Sequence, residues 1–456
     1  VSGGTATIVG STLFSITNLT TTWTLIQIVL TAPVSGGSLL FYPDTAGSPT
    51  SGTTLFMWGV QMNAGTTASQ YYRTTTTVYQ APRFDYDPTT TPPTPRGLLI
   101  EGGANSLVAR SQALNQSAWL KTAATSISET GTGSPANDAT SNVLTWTNGT
   151  AVGNAYTEQS GLPVSGGQPY TWSVWLKNRG NRRVSVFGFT KTSANAFSGN
   201  LEMTVDFSVA TPTASITVST NFTSTSVTPP VAFGNGWYRC TMTGTTPSNA
   251  AVTGFGISNK DAVPASGTNG CEVWGAQLEA GSGASSYIPT GANQGSRTKD
   301  ICNITGSNFS SWFVDGPGTI VAQSDNVKFN TRNLLCEFNK DASNYIQMGV
   351  GAGAGSGEAL FYNPNGFSQS GTTPSLNTAY KSAYVWDTDY FKMCLNGTLG
   401  SADTNGNIVS SGMVNLSIGG DLTNPTDVYI KNGHIRSLKY WPTRLPDAQL
   451  QALTTG

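Results

Sequence analysis

One stretch of this chain occurs twice, and that constrains its fold more than any other feature. Trp58-Gly59-Val60-Gln61-Met62-Asn63-Ala64-Gly65 is matched by Trp274-Gly275-Ala276-Gln277-Leu278-Glu279-Ala280-Gly281. The register continues through Ala68-Ser69 against Ala284-Ser285 and Tyr71 against Tyr287. Upstream, Trp23-Thr24-Leu25-Ile26 falls opposite Trp237-Tyr238-Arg239-Cys240, with an offset that differs by two residues, which a surface loop of another length absorbs. Residues 23–74 and 237–290 are therefore one fold unit used twice. The second copy follows residues 101–236 and the first follows only 22 residues, so the first module reads as truncated and the chain as the C-terminal part of a longer polypeptide.

The unit repeated is a β unit. Charged residues make up 10% of the chain, against roughly 25% in ordinary globular proteins, while Gly, Ser and Thr are abundant. Runs such as 211–228 are β-branched and suit a pleated, half-buried surface rather than a helix. Only the last dozen residues look helical. In Tyr170-Thr171-Trp172-Ser173-Val174-Trp175-Leu176-Lys177, alternation puts Tyr170, Trp172, Val174 and Leu176 on a core face and the others on the opposite face. Further strands are predicted at Val184 to Phe189, Leu201 to Phe207, Trp237 to Met242, Val252 to Ile257 and Cys271 to Leu278, a count that fits a sandwich or jelly roll.

At 456 residues the chain should hold about three domains. Thr89-Thr90-Thr91-Pro92-Pro93-Thr94-Pro95 reads as a stiff Pro/Thr linker within residues 82–100. It separates the truncated module, residues 1–81, from a complete module, residues 101–302, and a last domain, residues 303–456. A formal net charge of −1 gives no electrostatic footprint for nucleic acid. No stretch of 18 apolar residues exists to span a membrane as a helix, and no signal peptide is visible after Val1.

The segment Arg83-Phe84-Asp85-Tyr86-Asp87-Pro88, continued by Arg96-Gly97-Leu98-Leu99-Ile100-Glu101-Gly102, resembles the lead-in found in many tailed-phage tail and fibre proteins ahead of a carbohydrate-binding-module-like jelly roll. In those relatives an Ala-Arg-Thr-Asn-Leu type string follows the glutamate; here Gly103-Ala104-Asn105-Ser106-Leu107 follows it, without the arginine. From about residue 303 the chain resembles a laminin-G or concanavalin A-like lectin sandwich, through Tyr384-Val385-Trp386-Asp387, Phe391-Lys392-Met393-Cys394-Leu395-Asn396-Gly397 and Gly433 to Leu445. The resemblance implies an all-β chain of tandem jelly-roll or β-sandwich modules ending in a concanavalin A-like domain. The last segments read as two strands ending at a tight Asn-Gly turn, then a closing strand and a short helix with Pro446 at its start and Leu450 and Leu453 facing inward.

Catalytic chemistry is poorly provided for. His434 is the one histidine, in a strand-like segment where a structural role outweighs general-base work, and a multi-histidine metal site is excluded. Asp387 and Asp389, or Asp421, Asn424 and Asp427, either bind calcium as lectin loops do or simply make Asx turns. The glutamates are scattered, with no compact pair for glycoside hydrolysis, so the chain is expected not to be an enzyme. Cys240 corresponds to Ile26 and Cys271 to Leu55; if the two positions face each other, the thiols are either small hydrophobes or a disulfide whose Cα atoms lie within about 7 Å.

Sugar recognition needs aromatic planes beside amides and carboxylates. Trp175, on the polar face of its strand, is either such a plane or an outer-face tryptophan covered by a loop or neighbouring subunit. In the last domain Trp386, Tyr390, Tyr345 and Tyr362 are candidates, whereas Trp58, Trp274, Trp23 and Trp237 read as structural. Three functions follow: a phage fibre or adsorption protein contacting host surface polysaccharide or another host glycan, a purely structural virion protein without sugar binding, or a secreted bacterial glycan-binding or glycan-cleaving protein. The phage readings place the chain on the virion surface, with other virion proteins as partners and a homo-oligomer, often a trimer, as its form.

Overall fold

The computed structural model describes residues 5–9, 13–17, 83–87, 90, 94–131, 133–135, 141–180, 182–264, 269–328, 332–341, 344–351, 358–363, 366–369, 374–404, 412–420 and 429–455; at 5–17, 332, 351 and 358–369 the backbone alone is described. The chain divides into Val1–Ala81 and Pro82–Gly456. In the first unit the strands Thr5–Val9 and Leu13–Thr17 pair antiparallel, and the first copy of the repeat lies outside the described residues.

Among its described residues the second unit is all β apart from two short helices, and it holds two sandwiches. In the middle sandwich, sheet A runs in the order Thr223–Ala232, Trp237–Thr245, Pro169–Asn178, Gly270–Ala280, Asn142–Trp146 and Thr125–Ser128. Sheet B runs in the order Thr213–Thr220, Phe197–Asp206, Arg183–Lys191, Val252–Asn259, Tyr156–Pro163 and Leu120–Lys121. Trp172, Val174 and Leu176 of sheet A meet Val184, Val186 and Phe255 of sheet B in one buried core, as the alternation predicts. Gly188 makes room for the Trp172 indole, since a Cβ there would stand 2.7 Å from the ring.

In the second copy the Trp274-Gly275 pair is a bulge. Cys271, Val273, Ala276 and Leu278 all face the core, so one extra residue interrupts the alternation between Val273 and Ala276. The pairing of Pro169–Asn178 with Gly270–Ala280 shifts register there, and Gly275 takes φ +64, a conformation glycine adopts without a Cβ penalty. Trp274 is thereby turned to the outer face, where it joins Trp175, Trp237, Phe233 and Tyr287 in a cluster separate from the core.

The last sandwich is discontinuous in sequence. Its six-stranded sheet C runs Cys302–Thr305, Asn415–Ile418, Arg332–Asp341, Asn344–Gly351, Glu358–Asn363 and Gly366–Gln369. Its seven-stranded sheet D runs Thr398–Leu399, Tyr390–Leu395, Tyr380–Asp387, Gly318–Ser324, Gly433–Trp441, Thr94–Ile100 and Arg83–Asp87. The last two strands come from the segment expected to be a linker. They form an antiparallel hairpin, and Gly433, His434 and Ile435 pair with Ile100, Leu99 and Leu98. The Pro/Thr run suggested an extended spacer, but Leu98 packs against the core of the last sandwich and Ile100 is buried, which a free linker cannot do. The middle sandwich is thus inserted between two strands of the last one.

A buried charge cluster closes the neck of this insertion. Glu101, where the chain leaves, is 2% exposed, and Asp300 stands where it returns. The Asp300 amide donates to the Glu101 carbonyl (3.0 Å), and the Glu101 amide donates to the Asp300 carboxylate (2.8 Å). Arg83 donates to Glu101 (2.9 Å) and to Asp300, while Arg297 lies 3.5 Å from the Glu101 carboxylate. The Ser286 amide donates to the remaining Glu101 oxygen (2.7 Å). Burial works against the Glu101 charge, but Arg297, Ser286 and Arg83 outweigh it and hold the carboxyl below the usual glutamate range.

His434 ties the same hairpin down from the other side. Its Nδ1 lies 2.8 Å from Asp325 Oδ1 and its Nε2 2.8 Å from Asp85 Oδ2, and its own amide donates to Asp325. Burial opposes the charged ring, yet the two carboxylates push its pKa up to about 9, so the lone histidine is a structural cation. Asp325 and Asp85 are both held below the ordinary aspartate value despite their own burial.

Of the two readings of the thiols, small buried hydrophobes hold, since Cys240 and Cys271 are free and buried. Their strands flank Pro169–Asn178 on opposite sides, about 9.5 Å apart across the sheet, and their partners there, Val174 and Asn178, are four residues apart, so the disulfide alternative is out of reach. One further expectation is corrected. In the terminal helix Asp447–Thr454, Leu450 is buried as predicted but Leu453 is exposed and Thr454 takes the inner place, one full turn from Leu450. The Asn396-Gly397 turn holds, with positive φ at both residues as a type I′ hairpin requires.

Replacing Glu101 with Ala leaves Arg83 and Arg297 without their shared carboxylate, and we expect a loss of about 3 kcal/mol in urea unfolding at neutral pH. The raised His434 pKa corresponds to about 3 kcal/mol of stability, complete below the ordinary histidine value of 6.5 and lost as pH rises through about 9. The shares of Asp85 and Asp325 are present above 3.8 and fade as pH falls below it. Unfolding free energies of the wild type and His434→Gln should converge as pH is raised from 6.5 to above 9; a constant difference across that range would contradict the assignment.

Candidate functional site

The two outer faces of the middle sandwich differ. On sheet A the outer face is covered by the chain itself. Trp175 is 4% exposed, with the rings of Phe233, Trp274 and Tyr287 edge-on to it at 5.6, 5.2 and 5.4 Å. The Arg239 guanidinium lies 4.5 Å from the Trp175 ring centre and donates to Ser173 and to the Ser285 carbonyl. Glu279, in the position of Asn63 in the first copy, accepts from the Ser285 amide and hydroxyl. Burial raises the Glu279 pKa against the pull of Lys328 and Ser285. Trp175 therefore holds a loop in place and is not free to stack on a ligand.

The outer face of sheet B is different. Val184 and Val186 point into the core and Gly188 meets Trp172, so Phe187 and Phe189 stand on the outside of the same strand. Both are half-buried and belong to none of the four apolar clusters among the described residues. Their rings lean over the neighbouring strand, where Gly256 and Gly254 stand. A Cβ at Gly256 would come within 2.0 Å of the Phe187 ring and one at Gly254 within 2.4 Å of the Phe189 ring. This glycine lane lets the rings settle low on the sheet. Tyr156 meets Phe187 edge-on at 6.1 Å.

Polar groups border the rings on both sides. Glu202 stands opposite Phe187 and Asn200 opposite Phe189 in the paired strand. Beyond the glycine lane Glu158 pairs with Gly256. Burial raises the Glu158 pKa, with Lys191 working in the other direction. Lys191 Nζ lies 5.9 Å from the Phe189 ring centre, and Lys260 is ion-paired with Glu202, which also accepts from Thr217 (2.8 Å).

The residues singled out in the last domain do not converge. Trp386 is fully buried, donates to the Gly316 carbonyl (2.9 Å) and packs on Phe338, so it belongs to the core. Tyr390 is half-buried beneath the Arg444 guanidinium, 3.5 Å from its ring centre. Tyr345 lies on the other sheet, half-buried and opposite Asn339. Tyr362 pairs with Gln347 there, its side chain outside the described residues. Asp387 ends its strand and Asp389 lies within the two-residue turn Thr388-Asp389, with Asp389 at φ +52 and Asp387 accepting from the Thr388 amide (2.8 Å) and lying 3.9 Å from Arg444. They are turn residues, and no group of three or more His, Cys, Asp or Glu gathers for a metal among the described residues. Asp421, Asn424 and Asp427 lie outside them.

Sequence reading assigned the strand of Phe187 and Phe189 but missed its outer face. The available signal was the alternation in Arg183–Lys191, read together with the two glycines of Val252–Asn259.

The sequence matches no protein-family model and no curated protein. Among solved structures it is similar to the NanB sialidase of Streptococcus pneumoniae, with 14% identity over 33% of this chain and 26% of that one, at a TM-score of 0.29. It is also similar to the CBM40 domain of the Ruminococcus gnavus IT-sialidase bound to α2,3 sialyllactose, with 18% identity over 34% of this chain and 92% of that one, at a TM-score of 0.30. A SAP-like pentraxin from Limulus polyphemus matches at 14% identity over 30% of this chain and 69% of that one, with a TM-score of 0.26. The chain thus spans about a quarter of the length of the matched sialidase.

If the glycine lane seats the rings, Gly256→Ala should cost about 1–3 kcal/mol by forcing the Phe187 ring away. Gly291→Ala, whose Cβ meets no atom within 4 Å, is the control, and thermal unfolding of both variants checks the difference.

Proposed function

We propose that this chain is a non-enzymatic, glycan-binding component of a virion fibre or adsorption apparatus, and that the outer face of sheet B makes the sugar contact. The observation that carries the reading is the pair of half-exposed rings, Phe187 and Phe189, bordered by Glu202, Asn200 and Glu158. Aromatic planes take the C–H faces of sugars, and the flanking carboxylates and amide take their hydroxyls. Glu202 is held by Lys260 and Thr217, and Phe187 and Gly256 stand between it and Glu158, so the two carboxylates are not set across an open cleft as glycoside hydrolysis needs. That supports binding over cleavage at this face.

The virion setting rests on the resemblance of Arg83 to Gly102 and of residues 303–456 to phage fibre segments. In that setting the partners are a host surface glycan, other virion proteins and further copies of this chain. A second reading, a purely structural virion protein, is favoured by the burial of Trp175 and Trp386, which removes both tryptophans as sugar platforms.

A glycan panel and host cells probed with the purified chain separate the two. On the first reading we expect saturable binding that each of Phe187→Ala and Phe189→Ala weakens about tenfold, the loss of roughly 1.4 kcal/mol that one stacked ring supplies. A folded, correctly assembled chain that binds nothing would leave the structural reading standing.

A further inference from the structure

We infer that the outer face of sheet B takes an uncharged glycan chain of at least two contiguous pyranose units, lying along the strand Arg183–Lys191. The inference rests on the glycan-binding reading above and adds the charge, length and direction of the ligand.

Direction and length come from the strand. Phe187 and Phe189 lie two residues apart on one face, a separation of about 6.7 Å along the strand, which is the scale of one sugar ring with its linkage. Gly254 and Gly256 leave the neighbouring strand without side chains beside these rings, so the strip runs along the sheet and not into a closed pocket. Asn200 stands opposite Phe189 and Glu202 opposite Phe187 in the paired strand. Each ring thus has its own polar neighbour, as two successive units of a chain would use.

Charge comes from the ion pairs. Lys260 is taken by Glu202, Arg183 by Asp261, and Lys191 acts on Glu158. Among the described residues these three cations of the face all have a carboxylate close by, which leaves none of them to a ligand's acid group. Glu158 is itself half-buried beyond the glycine lane, where an anionic sugar would add repulsion to desolvation.

The test is calorimetric titration of the whole chain with linear neutral gluco-, manno- and galacto-oligosaccharides of increasing length from the monosaccharide, with sialyllactose and hexuronate oligomers as acidic counterparts. The expected result is affinity for at least one neutral series that rises about tenfold or more once a second unit is present. That gain should be lost in Phe187→Leu and in Phe189→Leu, which keep apolar cover over the glycines. Acidic saccharides binding more tightly than neutral ones, or a monosaccharide binding as tightly as the chain, would overturn this inference while leaving glycan binding intact. Absence of binding by every saccharide, or binding that both leucine variants leave untouched, would overturn the reading of this face as well.

Discussion

The carboxylate of Glu101 is the joint on which the second unit is built. An inserted sandwich needs its two crossing strands held side by side, and here the outgoing and returning chains exchange hydrogen bonds between Glu101 and Asp300. Arg83 reaches in from the edge hairpin, Arg297 from the returning chain and Ser286 from the loop that covers sheet A. One buried charge therefore ties the edge hairpin to a covering loop and a returning chain nearly 200 residues further on. A buried carboxylate with this many partners costs a great deal to leave unpaired, so the cluster specifies a single arrangement of the neck.

From that joint follows the asymmetry of the middle sandwich. The loop carrying Ser285, Ser286 and Tyr287 is held by Glu101 at one point and by Glu279 at another, and it lies over Trp175. With sheet A covered, sheet B keeps its outer face open. The same arrangement that withdraws the tryptophans leaves the phenylalanines available.

Much of the fold was legible because strand alternation is a local signal. The core face of Pro169–Asn178 and the five further strands predicted with it are all present. The hairpin of sheet D was hidden because its prolines dominate a short window, while the alternation of Leu98 and Ile100 is brief and its partner strand lies more than 300 residues away. The arginines that bind Glu101 were equally invisible: reading looked immediately downstream of the glutamate, and the structure supplies them from Arg83 and Arg297. Trp175 was placed correctly on the outer face, but whether an outer-face residue is covered depends on a loop more than 100 residues away. The sequence could not decide between free thiols and a disulfide at Cys240 and Cys271 for a related reason, since facing the same core says nothing about which strand stands between two positions.

The repeat also takes on a different meaning. Its signature, Trp274-Gly275 with Trp237 and Tyr287, builds the bulge and the aromatic cluster that hold the covering loop, so it marks a structural device and not a ligand site. The sequence shared with the first copy begins at Trp237, downstream of Arg183–Lys191. The shared residues thus belong to the covered face of the middle sandwich and not to the strand that carries Phe187 and Phe189.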